Sequence, residues 1–216
     1  MADHYAEIGN ACTFQESTVI GLKYKEDCNP VRFGNKCTVR VGSIIYADVT
    51  SGDDFQTGHN VTIREHTIFG NHIVVGTNTV IEGHVVIGDF VKIESNCFIP
   101  THTSIGNRVF IGPGMVLTND RYPQKMRDQY RPEGPIIEDG VTLGGGVVVV
   151  PGVRIGKGAF VAAGAVITKD IPPMSFVKGV PGEILPLPEK LCEMNMAKNW
   201  RKYLNEKDQA GADWLR

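Results

Sequence analysis

The sequence predicts an all-β solenoid: a triangular parallel β-helix with coils of about eighteen residues, a protruding loop and a C-terminal α-helix. Three observations predict it. An apolar residue returns every sixth position: Phe33, Val39 and Ile45, then two polar lapses at Ser51 and Thr57, then Ile63, Phe69, Val75, Ile81, Ile87, Ile93, Ile99, Ile105, Ile111 and Leu117. The register resumes at Ile137, Leu143, Val149, Ile155, Val161 and Ile167. Second, the residue four positions further on is usually small or β-branched (Thr79, Val91, Cys97, Val109, Val141, Ala159, Ala165), a second filler for a narrow interior. Third, Gly and Asn recur inside every unit, and both weaken helices. A fixed short period marks a repeat architecture. Neither the helical nor the strand period alone gives six, whereas a short strand plus a turn does. Three such units close a triangle, and successive coils lie about 4.8 Å apart.

The elements follow in order. A short run, Ile8, Phe14 and Ile20, opens the coil. Residues 21–32 (GLKYKEDCNPVR) are charged, contain Pro30 and form an excursion or a boundary. Regular coils follow, interrupted by residues 118–136, a polar, Pro-rich loop that is basic in its middle. A loop of that length in a compact repeat is functional or disordered. After Pro188, Leu191, Met194, Ala197, Tyr203 and Leu204 lie near one helical face. This segment reads as a helix that covers the open sheet edge at the solenoid end, with a reach to a neighbouring subunit as the other reading. The division is therefore residues 1–185, solenoid, and residues 186–216, helical cap.

Composition narrows the function classes. The formal charge is −2 and the pI about 6.3, which gives no bias toward nucleic acid or a membrane surface. No apolar run approaches the length needed to span a bilayer. The opening MADHYAEIGNA lacks the charged-then-apolar order of a secretory signal. Five scattered cysteines (Cys12, Cys28, Cys37, Cys97, Cys192) read as reduced thiols without catalytic role. The expectation is a cytoplasmic protein.

Eighteen-residue arithmetic assembles a candidate site. Arg64, Glu82, Pro100 and Thr118 form one column; Glu65, Gly83, Thr101 and Asn119 the next; His66, His84, His102 and Asp120 a third, at the root of the long loop. The histidines should point outward, about 5 Å apart. Neighbouring imidazoles at that spacing cannot all be charged, so some are neutral at pH 7 and able to accept a proton. A surface ladder with packing value only is the competing reading. His59, within Gly58-His59-Asn60, falls on another corner. A second set of columns is small: Gly144-Gly145-Gly146, then Ala162-Ala163-Gly164, then Val180-Pro181-Gly182. Missing side chains expose backbone and admit a close ligand. Lys157, Lys169 and Lys178 lie near in sequence, which suits a long thin ligand with an anionic end such as coenzyme A.

The hexapeptide pattern from Ile8 to Ile184 resembles the hexapeptide-repeat acyltransferases, whose fold is a left-handed parallel β-helix. The left hand comes from that resemblance, since general crossover rules favour the other. TGHNVTIRE at 57–65, VLTNDRYP at 116–123, the glycine- and alanine-rich run over 143–173 and GVPGE at 179–183 are similar to the nucleotide-sugar N-acetyltransferases of that family. The resemblance implies transfer of acetyl from acetyl-CoA to a 3- or 4-amino group of a UDP- or dTDP-linked deoxysugar, in an active site between subunits of a homotrimer. On that reading Gly144, Gly145, Gly146, Ala162, Ala163, Gly164, Lys169, Lys178 and Pro181 hold acetyl-CoA. The acceptor meets His59, Asn60, Arg64, Glu65, His66, His102, Arg121 and Tyr122.

The chemistry assigns the remaining roles. A model amine with pKa about 7.7–8.0 is partly neutral near pH 7, so orientation and oxyanion stabilisation outweigh a strong base. Asp120 and Glu82 hold the amine, His84 is the candidate proton acceptor, Asn119 a polar contact, and a backbone amide of the small-residue columns serves the oxyanion. No metal is expected. Three readings compete. An O-acetyltransferase acting on a sugar or serine hydroxyl would need His84 as general base. A zinc lyase of the γ-carbonic anhydrase kind would use His59, His66 and His84, although parallel histidines are not tetrahedral. A non-catalytic scaffold would leave the histidine column without a use.

Overall fold

A computed structural model describes residues 5–199 and 202. The chain winds as a left-handed parallel β-helix with three flat faces. The first face stacks eight strands, from Ala6–Ile8 through Val31–Phe33, Thr50–Ser51, Ile68–Phe69, Val86–Ile87, Ser104–Ile105 and Ile136–Ile137 to Arg154–Ile155. The second runs from Thr13–Phe14 up to Phe160–Val161 and ends in an antiparallel hairpin, Ser175–Lys178 with Glu183–Pro186. The third runs from Val19–Leu22 to Val166–Ile167. Pairing is strictly eighteen apart through the regular coils, as in Ile68 with Val86 and Val80 with Phe98.

The six-residue period is the core. Ile45, Ile63, Ile81, Ile99, Leu117 and Val149 stack inside the third face without solvent exposure. The second fillers are also inside: Thr79, Val91, Val109, Val141 and Ala165 are fully buried. The polar lapses are buried too, and Thr57 Oγ1 accepts the Arg40 amide at 3.0 Å. Beside them Phe33, Phe55 and Phe69 fill the wider space, with Phe55 and Phe69 centroids 4.9 Å apart. The opening run packs less well: Ile8 is exposed, and Phe14 is half-buried against Phe33. All five cysteines are free thiols, and burial pushes Cys37 up to about 11.

Each coil turns three corners, and each corner needs one left-handed residue. Between the first and second faces an Asn/Asp ladder runs through Asn35, Asp53, Asn71, Asp89, Asn107 and Asp139, each side-chain oxygen accepting a backbone amide from the preceding coil. This is the asparagine corner. The glycine corner lies between the second and third faces, and the histidine corner between the third and first. Asn, Asp and His are enriched at positive φ, and Asn60, Asn78, Asp48, His66, His84 and His102 all adopt it.

The C-terminal segment corrects an expectation. Glu189–Leu191 is one turn of 3-10 helix, and the chain from Cys192 to Asn199 is irregular rather than α-helical. It lies along the asparagine corner. Met194 is buried against Gly140, and Asn195 Nδ2 donates to the Arg108 carbonyl at 2.9 Å. Lys198 Nζ sits 3.5 Å from Asp54 Oδ2, which also meets His72 at 3.1 Å. These polar anchors hold the backbone to the solenoid flank, where helical bonding would point it elsewhere. Tyr203, Leu204 and the rest of the expected helix lie outside the described residues.

Candidate active site

Both excursions leave from the histidine corner. Residues 23–30 depart below the column and residues 118–134 above it, so the corner has loops on two sides. The column forms as the spacing predicts. His66 and His84 have ring centroids 4.7 Å apart, and His84 and His102 stack at 5.5 Å with planes within 10°. His84 is held below the ordinary histidine range, first by burial and then by the neighbouring His66 and His102, with Glu65 opposing. Both causes favour the neutral ring.

The flanking groups converge as well. Glu65 takes a two-pronged contact from Arg64, Nη2 to Oε1 at 2.9 Å and Nε to Oε2 at 3.1 Å. The same guanidinium is 3.7 Å from Glu82. Asn119 Nδ2 donates to Thr101 Oγ1 at 2.9 Å, and that hydroxyl is 2.9 Å from His102 Nδ1. With its oxygen accepting from Asn119, the Thr101 proton is available to His102. Arg64, Glu65, Glu82, His66, His84, His102 and Asn119 thus share one surface.

Asp120 departs from expectation. The residue that resumes the coil over His102 is Gly134, where an added Cβ would sit 2.5 Å from the His102 carbonyl carbon. The Asp120 carboxylate turns into the loop, accepting the Tyr122 amide at 3.0 Å and pairing with Arg127 at 2.8 Å. The eighteen-residue count holds only while the coil is unbroken, and the excursion begins at this residue. Arg121 donates to the Pro151 carbonyl at 2.8 Å, and Tyr122 is exposed. Sequence reasoning missed Asp48 and Tyr24. Asp48 stands eighteen before His66 and was legible by the same arithmetic; Tyr24 lies in an excursion with no register.

The small residues form a separate corner. Gly112-Pro113-Gly114, Gly144-Gly145-Gly146 and Ala162-Ala163-Gly164 stack, with Gly146 N bonded to Pro113 O and Gly164 N to Gly145 O. Part of this glycine content is structural. A Cβ on Gly144 would lie 2.4 Å from the Ala163 nitrogen, while Gly146 has φ 68° and open space beside it. The stack above shifts: Phe160 pairs with Phe176, sixteen apart, so Lys178, Gly179 and Val180 follow Ala162, Ala163 and Gly164. Two residues are lost where Ile155 bridges Ile171. Pro181 consequently falls in the hairpin turn between Ser175–Lys178 and Glu183–Pro186. Lys178 is exposed beside the glycine corner; Lys169 stands instead on the histidine corner's side of the third face, and Lys157 at the asparagine corner. His59 and Asn60 are on the glycine corner, exposed, with Asn60 bonded to Asn78 at 3.3 Å. Within one chain the third face separates the glycine and histidine corners. Among the described residues no cluster of His, Cys, Asp and Glu is arranged to hold a metal ion, and no helix is long and apolar enough to cross a membrane.

Residues 84–119 and 134–169 match the family described as bacterial transferase hexapeptide (six repeats). The matched residues lie in the coils that build the upper histidine column and the glycine corner. No curated protein matches the chain in sequence. Among solved structures, a Bacillus cereus gene product is 18% identical over 94% of this chain and 97% of its own, with a TM-score of 0.50, a likeness of fold. A hexapeptide-repeat acetyltransferase of Vibrio cholerae O1 biovar eltor, complexed with acetyl coenzyme A, is 28% identical over 55% of this chain and 72% of its own, with a TM-score of 0.44. A UDP-N-acetylglucosamine acyltransferase of Campylobacter jejuni is 15% identical over 95% and 81%, with a TM-score of 0.43.

Proposed function

We propose that the protein is an acetyl-CoA-dependent N-acetyltransferase acting on the 3- or 4-amino group of a UDP- or dTDP-linked amino deoxysugar. The observation that carries the reading is the His66, His84 and His102 column flanked by Glu65 and Glu82, both held by Arg64, at the corner from which both excursions spring. The transferase hexapeptide match and the 116–123 motif support the same class. The acceptor lies at the histidine corner and acetyl-CoA along the glycine corner. Because the third face parts these corners in one chain, the two substrates meet where subunits of a homotrimer adjoin.

The amine lone pair attacks the thioester carbonyl, and a carbon–nitrogen bond forms. The resulting oxyanion is met by a backbone amide. Those of Gly144, Gly146, Ala162 and Gly164 are taken by carbonyls of adjoining coils, so Gly145 or Ala163 serves. The carbon–sulfur bond then breaks, the thiolate leaves, and the surplus amine proton passes to neutral His84. Glu82, which shares its carboxylate with Arg64 of this chain, orients the amine. A hydroxyl acceptor is the second reading, favoured by the depressed His84, which is competent as a general base at neutral pH.

The test is mass spectrometry of acetyl-CoA incubated with UDP- and dTDP-linked amino sugars and their hydroxyl counterparts. Acetylation at nitrogen is expected. Acetylation only of the hydroxyl sugars transfers the assignment to the second reading, and none with any acceptor removes both.

A further inference from the structure

The lower excursion places Tyr24 at the foot of the histidine column. Its hydroxyl oxygen lies 2.7 Å from Asp48 Oδ2 and 2.9 Å from His66 Nε2. Asp48 is itself anchored, its other oxygen accepting the Asn29 amide at 2.9 Å and Asn29 Nδ2 at 2.7 Å. A proton count assigns the roles. Burial alone would raise the Asp48 carboxyl, but hydrogen bonds from Tyr24 and Asn29 outweigh it and bring it to about 2. The Tyr24 phenol is pushed up, first by burial and then by Asp48. At neutral pH an ionised carboxylate can only accept, so the single Tyr24 proton goes to Asp48. The Tyr24 oxygen is left as an acceptor, and His66 must offer it an Nε2–H. Which nitrogen of an imidazole carries the proton is set by such a partner. On its other side His66 packs against His84 at 4.7 Å, while Tyr24 meets it edge-on at 6.0 Å.

We propose that Tyr24 is a positioning residue: its hydroxyl, aimed by Asp48, fixes His66 with the proton on Nε2 and sets the ring against which His84 packs. The inference rests on the acetyl-transfer reading, in which His84 takes the amine proton. It brings the first excursion into the site through side chains that touch no substrate.

The experiment uses the full chain labelled with ¹⁵N in the histidine rings, observed by long-range ¹⁵N–¹H correlation at pH 8. His66 is identified by the signals lost in His66→Asn. The wild type should show His66 protonated at Nε2, with that proton slow to exchange. Tyr24→Phe keeps the ring and removes the hydroxyl. It should abolish the slow proton, shift the His84 ring signals, and lower kcat by about tenfold or less, the worth of one net hydrogen bond, with KM unchanged. A wild-type His66 protonated at Nδ1 overturns the proposal even if the variant fails to fold. So does a folded Tyr24→Phe with unaltered His84 signals, or one that loses KM alone. If the wild type acetylates no amine, the functional reading fails, while the ring spectra still decide what Tyr24 holds.

Discussion

Ala163→Leu separates a ligand groove from a merely tight turn. Ala163 is exposed and already carries a Cβ at the glycine corner, so the larger side chain projects outward with little effect on the coil. Surface changes of this kind stay within about 0.5 kcal/mol. Gly146→Ala calibrates the turn. No atom lies within 4 Å of the added Cβ, and only the φ of 68° opposes it. That costs about 1–2 kcal/mol, or a Tm lower by about 2–8 °C for a chain of this size. Gly144→Ala should cost more than either, because the added carbon would lie 2.4 Å from the Ala163 backbone nitrogen and the coils must part. Gly145 is less suitable for blocking the groove, since its added Cβ would meet Pro113 O at 3.2 Å. Thermal unfolding ranks the three variants, and calorimetry with acetyl-CoA reads binding. Ala163→Leu should keep the wild-type Tm and weaken acetyl-CoA by at least about tenfold, roughly 1.4 kcal/mol. A folded Ala163→Leu that binds acetyl-CoA as the wild type does would refute the groove, and Gly144→Ala no worse than Gly146→Ala would refute the stacking argument.

Other expected outcomes concern the histidine corner and assembly. On the best amino-sugar substrate, Glu82→Gln should lower kcat/KM more than His84→Ala, and Asp120→Asn should change it little, because that carboxylate is tied to Arg127 and the Tyr122 amide in the loop. A loss near the upper end of the general-base range of about 10²–10⁴ for His84→Ala, with Glu82→Gln silent, would make histidine the base and sink the amine-orientation model. Because folding lowers the His84 pKa, the neutral ring favours the folded state above the unfolded value of about 6.5, and that contribution fades as pH falls through the folded value. His84→Asn, which suits the left-handed backbone, should therefore soften the drop in urea midpoint on acidification from pH 7.5 to 5.5; an equal or steeper drop contradicts it. Light scattering should find a trimer, and a stable monomer with full activity would contradict a site shared between subunits.

The six-residue apolar period determined the coil, its eighteen-residue stacking and most of the corner contacts. His66, His84 and His102 were placed by counting alone, as were Asn119 over Thr101 and the small residues at 144–146 and 162–164. This works because parallel pairing repeats one register, so sequence distance becomes position wherever the coil is unbroken. Tertiary structure decided what happens at the breaks. Tyr24 reaches His66 across forty-two residues of chain, Asp120 turns from the column to Arg127, and a two-residue loss at the last coil moves Lys178 toward the corner and Pro181 into a turn. The segment from Glu189 to Asn199 follows Asn195 and Met194 along the flank instead of forming an α-helix. An excursion has no register to inherit; its side chains go where burial and hydrogen-bond partners in the folded solenoid take them.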